Sequence, residues 1–235
     1  MKYVYYVKKF WLCYLMAAVM CISATIGADR AVTTIAENRP LDRHFTIVID
    51  AGHGGIDGGA TSCTGVLESQ INLQMALRLE DVLHLLGYQT KMIRRSDESI
   101  YTEGNTIAAQ KASDLRQRVR IVNSTEKAIL ISIHQNIFAD SQYHGPQVFY
   151  APTDGSRELA NILQDQLVEA LNPGSNRRSR VSSGVYLMQH IERTGVLIEC
   201  GFLSNPKEEA LLRDAGYQKK LCCVIVSGLS MYINA

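Results

Sequence analysis

FTIVIDAGHGGIDGGA, residues 45–60, is the stretch on which the fold turns. Its first six residues are an apolar run, and the remainder is a loop rich in glycine. A short apolar run that breaks into glycine has the form of a buried parallel strand feeding a loop. Just downstream, residues 68–86 place Ile71, Leu73, Met75, Leu77, Leu79, Val82, Leu83 and Leu86 at helical spacing and stop at Gly87, a common helix terminator. Further along, residues 88–93, 128–133 (AILISI), 147–150 and 195–199 (GVLIE) have the character of strands. Residues 113–122, 156–171 and 217–232 have that of helices, and no internal repeat is present. Strands alternating with helices predict an α/β fold: a single layered domain with a largely parallel central sheet, right-handed crossovers and helices on both faces.

The rest of the chain frames that domain. Lys2, Lys8 and Lys9 precede an apolar run over residues 10–26, then Gly27-Ala28 and a polar stretch. This order predicts a signal peptide or an N-terminal membrane anchor over residues 1–28. Residues 29–44 are polar and patternless and are expected to form a linker, leaving 45–235 as the folded domain. Cys21 follows Val19-Met20 rather than the small residues of a lipobox, which argues against a lipoprotein. The 235 residues carry 24 basic and 23 acidic side chains, a formal charge of +1, so no overall field points to nucleic acid. The short basic cluster Arg177, Arg178, Arg180 is expected to be a solvated loop, with a contact to anionic wall polymer as the lesser alternative. The six cysteines show no metal-pair spacing or disulfide framework and are expected to be small core residues.

Open α/β sheets bind ligands beyond the carboxyl ends of their strands. His53 follows the first strand, His134 follows AILISI, Glu199 ends GVLIE, and Glu68 opens the first helix after the glycine loop. Two imidazoles and two carboxylates are thereby directed to one edge of the sheet. Two His and a carboxylate form a known zinc shell with a position left open, and a further carboxylate can move a proton. Glu68 alone could simply favour the helix dipole, and a lone His could be a satisfied loop residue. Glu199 is harder to place blandly, because a carboxylate in an apolar strand must be paired, liganded or shifted in pKa. His44, His84, His144 and His190 are taken as structural. Cys200 has no assignable His partner as a nucleophile.

The motifs V-I-D-A-G-H-G-G-I-D-G-G-A (48–60), Leu67-Glu68, S-I-H-Q-N (132–136) and I-E-C-G-F-L-S-N (198–205) occur in one order. Together they resemble the zinc-dependent N-acetylmuramoyl-L-alanine amidases of the third type, over about residues 46–232. The resemblance implies a single zinc ion on His53, Glu68 and His134, with Glu199 as catalytic acid/base and Asn136 near the substrate. It also implies that Asp50 and Asp57 fix the loop. The substrate would be peptidoglycan, cut at the amide between N-acetylmuramic acid and L-alanine outside the cytoplasm, with the membrane met only through the N-terminal segment. The segment over 96–114, the signal-like start and the lack of a wall-binding repeat are most similar to the sporulation and germination branch. That branch strips peptide from the spore cortex so that muramic-δ-lactam can form. Ala51 and Ser69 stand where proline and lysine are commoner.

Three other readings compete. A zinc carboxypeptidase acting on wall peptides would need an arginine for a terminal carboxylate, for which Arg94, Arg95 and Arg118 are available. A non-catalytic wall-binding homologue has no use for the intact quartet. A phosphate site at the glycine loop lacks the Gly-Lys-Ser/Thr of a P-loop and leaves His134 and Glu199 unexplained.

Overall fold

The computed structural model describes residues 44–235. The export segment expected over residues 1–28 and all but the last residue of the linker expected over 29–44 lie outside the described residues. The strands are β1 (Thr46–Ala51), β2 (Gln89–Met92), β3 (Ala128–Asn136), β4 (Gln147–Tyr150), β5 (Arg180–Val181) and β6 (Thr194–Phe202). The helices are α1 (Glu68–Leu85), α2 (Ile107–Ser124), α3 (Ser156–Leu171), α4 (Tyr186–His190), α5 (Pro206–Arg213) and α6 (Ala215–Ile233). They surround one sheet in the order β2-β1-β3-β6-β4-β5. Its first four strands run parallel, and β4 runs antiparallel to β6. Among the described residues no helix is long and apolar enough to cross a membrane.

Alternation along the central strands divides the core. Val48, Leu130 and Leu197 join Val122 of α2 and Leu187 and Met188 of α4 in one apolar cluster. The intervening residues Ile47, Ile49, Ile129 and Ile131 are equally buried and turn to the opposite face, where α1 packs on β1 and β3. On that side α6 lies against both α1 and α3. The same alternation continues to the strand ends. Asp50 pairs in register with Ser132, Ser132 with Leu197, and His134 with Glu199. The polar ends of three strands therefore share the α2–α4 face.

Several boundaries differ from those the sequence suggests. Helix α2 starts at Ile107 rather than 113, because Thr106 caps it by accepting from the Ala109 amide, and its polar, exposed first turns hide the periodicity. Strand β3 runs on to Asn136 and β6 to Phe202; Asn136 pairs with Phe202 beyond a register shift. Three elements had no counterpart in the sequence reading: α4, β5 and α5. Helices α4 and α5 are only 5 and 8 residues long, and β5 has 2. Arg177 is not a solvated loop residue: its guanidinium lies 5.1 Å over the Phe202 ring and donates to the Gly145 carbonyl. Of the four described cysteines, all unpaired, Cys200 and Cys222 are core residues as expected, whereas Cys63 and Cys223 are exposed.

Candidate active site

At the end of β1 the chain turns through Gly52 into His53, whose φ of 61° is left-handed and unusual for a residue with a side chain. Two buried arginines hold this turn by its carbonyls. Arg94, only 2 % exposed, donates to the carbonyls of Ala51, Gly52, Ser69 and Ser96. Arg118 donates to the carbonyls of Ala51 and His53 and pairs with both Asp50 and Asp114. Asp50 also accepts from the Ser132 hydroxyl, so the floor beneath the strand ends is a closed polar network. These anchors over-determine a backbone that would otherwise cost about 1–3 kcal/mol in strain. Arg95 lies elsewhere, paired with Glu80.

Above that floor the two imidazoles meet a carboxylate. Glu68 is buried at the first position of α1. Its Oε2 is 3.3 Å from His53 Nε2, and its Oε1 is 3.1 Å from His134 Nδ1. The two rings stand edge to face with centroids 5.0 Å apart. Backbone amides complete the hold on the carboxylate, Ala60 on Oε2 and Gln135 on Oε1. His53 Nδ1 faces Asp57 Oδ2 at 2.9 Å, and the other Asp57 oxygen takes a salt bridge from Lys111. Burial alone would raise the Glu68 carboxyl, but the bonds and charges of His134 and His53 outweigh it and hold the group far below the usual carboxylate range. Burial alone would lower His53, yet Glu68 and Asp57 outweigh it and push the imidazole up to about 9.

Glycine is required twice for steric reasons. A Cβ on Gly52 would stand 2.2 Å from His134 Nε2. A Cβ on Gly59, where φ is also left-handed at +70°, would stand 2.6 Å from Glu68 Oε2 and 2.7 Å from His53 Cδ2. The rings and carboxylate thus sit directly on bare backbone.

Glu199 projects beside this group from β6. Its Oε2 is sealed from solvent and has no hydrogen-bond partner. Burial raises its carboxyl to about 7, with His134 pulling down and Glu68 pushing up. His53, His134, Glu199, Asp57 and Lys111 open onto a cleft of about 380 Å³ with apolar walls from Ile56, Val185, Tyr186 and Leu187. Asn136 is half-buried two residues past His134, beyond the register shift, and does not line this cleft. His84, His144 and His190 bond to Thr90, Gln142 and Tyr186, away from the centre.

The donor atoms of His53, Glu68 and His134 all lie within 4.8 Å of one another, close enough to share one metal ion. Two imidazoles and a carboxylate on bare backbone, with a partnerless carboxylate oxygen at their side, fit a metal that leaves a position open. The loop-holding role of Arg94 and Arg118 is not evident in the sequence. One signal was present for Arg118, the i,i+4 pair it forms with Asp114 on one helix face.

A donor set of this kind beside a separate acid is the equipment of a metal-assisted hydrolase. The chain belongs to the N-acetylmuramoyl-L-alanine amidase family, whose model matches residues 47–231. The germination-specific N-acetylmuramoyl-L-alanine amidase of Bacillus subtilis (strain 168) is 39% identical over 190 residues, 80% of this chain and 79% of that protein. The CwlD amidase of Clostridioides difficile, solved in complex with the GerS lipoprotein, has a TM-score of 0.77 at 36% identity, covering 80% of this chain and 98% of that one. The N-acetylmuramoyl-L-alanine amidase of Clostridium difficile 630 has a TM-score of 0.71 at 30% identity, covering 83% and 99%.

Proposed function

We propose that this amidase hydrolyses the amide joining N-acetylmuramic acid to L-alanine in peptidoglycan, with a single zinc ion held by His53, Glu68 and His134 and with Glu199 as acid/base. The observation that carries the proposal is the partnerless Glu199 Oε2 beside the three converging donors. Bound zinc supplies Lewis acidity that polarises an amide carbonyl and makes water nucleophilic at neutral pH. The chain's own residues do the rest. Asp57 accepts from His53 Nδ1 and so leaves Nε2, the nitrogen facing Glu68, free to act as ligand. Glu199, with a carboxyl raised to about 7, can take a proton from the attacking water and return it to the departing L-alanine nitrogen. Ile56, Val185, Tyr186 and Leu187 give the cleft around that transfer apolar walls.

The carboxypeptidase reading loses its support, since the donors of Arg94 and Arg118 are committed to carbonyls and aspartates and Arg95 is paired with Glu80. The germination-specific relative supports a role on spore cortex peptidoglycan. In this reading residues 45–235 are the catalytic domain and act outside the cytoplasm, behind an export or anchor segment over 1–28 and a linker over 29–44. Asn136 remains our candidate for a substrate contact at the rim. Digestion of purified cortex and vegetative muropeptides tests the reading. The expected product is a stem peptide with a free amino group on L-alanine and an intact glycan by mass. Shortened stem peptides still attached to sugar would refute it.

Gly52→Ala is a local test of the ligand geometry. Gly52 has no left-handed φ, so the substitution costs nothing in the backbone and acts by pushing the His134 ring aside. Zinc affinity, read by chelator competition, is expected to weaken by at least about tenfold in a protein that still folds. An unchanged affinity would remove His134 from the ligand set.

A further inference from the structure

We infer that Asn72 is a positioning residue that locks the three metal-donor segments into one arrangement. It rests on the proposed zinc site but is not part of it. Asn72 lies one turn into α1 and is 0% exposed, an unusual place for a carboxamide. Its Nδ2 donates to the Gly52 carbonyl, 3.2 Å away, and to Glu68 Oε1, also at 3.2 Å. Its Oδ1 accepts from Gln135 Nε2 at 3.1 Å. Gly52 precedes His53, and Gln135 follows His134. One amide therefore touches Glu68 itself and the immediate neighbour of each His.

Chemistry explains why this side chain is an amide. Oε1 of Glu68 must be held by donors that carry no charge, because a cation there would compete with a metal for the carboxylate. Asn72 and the Gln135 amide supply two neutral N–H groups to that oxygen. The position also calls for an acceptor, because Gln135 points across the sheet towards α1 and its Nε2 would otherwise rely on the weak acceptor Met75 Sδ, 3.5 Å away. Asn has both faculties on a short, stiff side chain. Neither Asp nor Leu has both. The ligand-bearing loop, the head of α1 and the end of β3 come from three distant stretches of sequence. Asn72 lets the sheet, the loop and the helix share one register without the ion's help.

The test uses Asn72→Leu, which has the same branched outline, is bulkier and lacks polar atoms, in the full chain. Three quantities are read: zinc dissociation constant by chelator competition, visible absorption of the cobalt(II)-substituted protein, and melting temperature of the metal-free form. A positioning role predicts zinc binding weakened by about 10- to 100-fold and an altered cobalt spectrum, with a cooperative melt retained. Turnover should recover substantially once zinc is supplied in excess. A lowered melting temperature with parental zinc affinity and cobalt spectrum would overturn the inference and leave Asn72 merely structural. If Asn72→Leu does not fold, Asn72→Ala, which leaves space for water, is read in the same way. A parent protein that binds no zinc would overturn the metal reading and this inference together, whereas a tight-binding parent with an equally tight variant overturns only this one.

Discussion

Glu199→Gln is expected to bind zinc as tightly as the parent and to turn over about a hundred- to ten-thousand-fold more slowly, a loss of roughly 3–5 kcal/mol of transition-state stabilisation. Gln keeps the shape of the side chain and removes its ability to exchange a proton. An amide nitrogen departs poorly unless protonated, so the loss falls on kcat rather than on substrate binding. The structure gives a reason to expect clean separation of the two. The donors of His53, Glu68 and His134 converge without Glu199, and Glu199 Oε2 bonds to none of them. Burial that raises the Glu199 carboxyl to about 7 also makes a neutral amide there tolerable to the fold. Turnover measured on a defined muropeptide, alongside zinc content, decides it. Near-parental turnover in the zinc-loaded variant would remove Glu199 from the chemistry, and loss of zinc would make it a ligand.

The sheet and its edge were legible because hydrophobic burial writes directly into the residue pattern. FTIVID and AILISI are buried on both faces, and runs of that kind can belong to few other elements. His134 and Glu199 could be placed because each ends such a run, and in register they stand side by side. Polar residues that close the structure from within carried no comparable signal. Asn72 lies in a helix whose pattern offers many polar positions, and its complete burial follows from Gln135, 63 residues away, reaching it across the sheet. Arg118 looked available to a substrate because an arginine is usually solvated. In the fold it is committed to Asp50, Asp114 and the carbonyls of Ala51 and His53, partners from two separate parts of the chain. Sequence periodicity records which residues avoid water. It is nearly silent about which polar groups find one another.

Zinc affinity is expected to rise about tenfold per pH unit between pH 7 and 9, while the metal-free fold becomes less stable over the same range. Both follow from one imidazole. In the metal-free protein Glu68 and Asp57 overcome the effect of burial and push His53 up to about 9. A ligand imidazole must be neutral, so below that value each zinc bound displaces one proton from His53, and acid competes with metal for the same nitrogen. The stability term has the opposite sign. A group whose pKa is raised on folding binds more protons in the folded state, so its contribution is complete below the ordinary value of 6.5 and disappears as pH rises through about 9. The amount at stake is on the order of 3 kcal/mol, enough to move the melting temperature by several degrees in a domain of this size. Chelator competition at pH 7, 8 and 9, paired with metal-free melts at the same values, reads both slopes. Asp57→Asn removes one of the two acceptors on His53, 2.9 Å from Nδ1, and should flatten both curves while leaving Glu68 in place. A zinc affinity independent of pH over this range would show that His53 gives up no proton to the metal there, and that Glu68 and Asp57 do not hold its imidazole charged above pH 7.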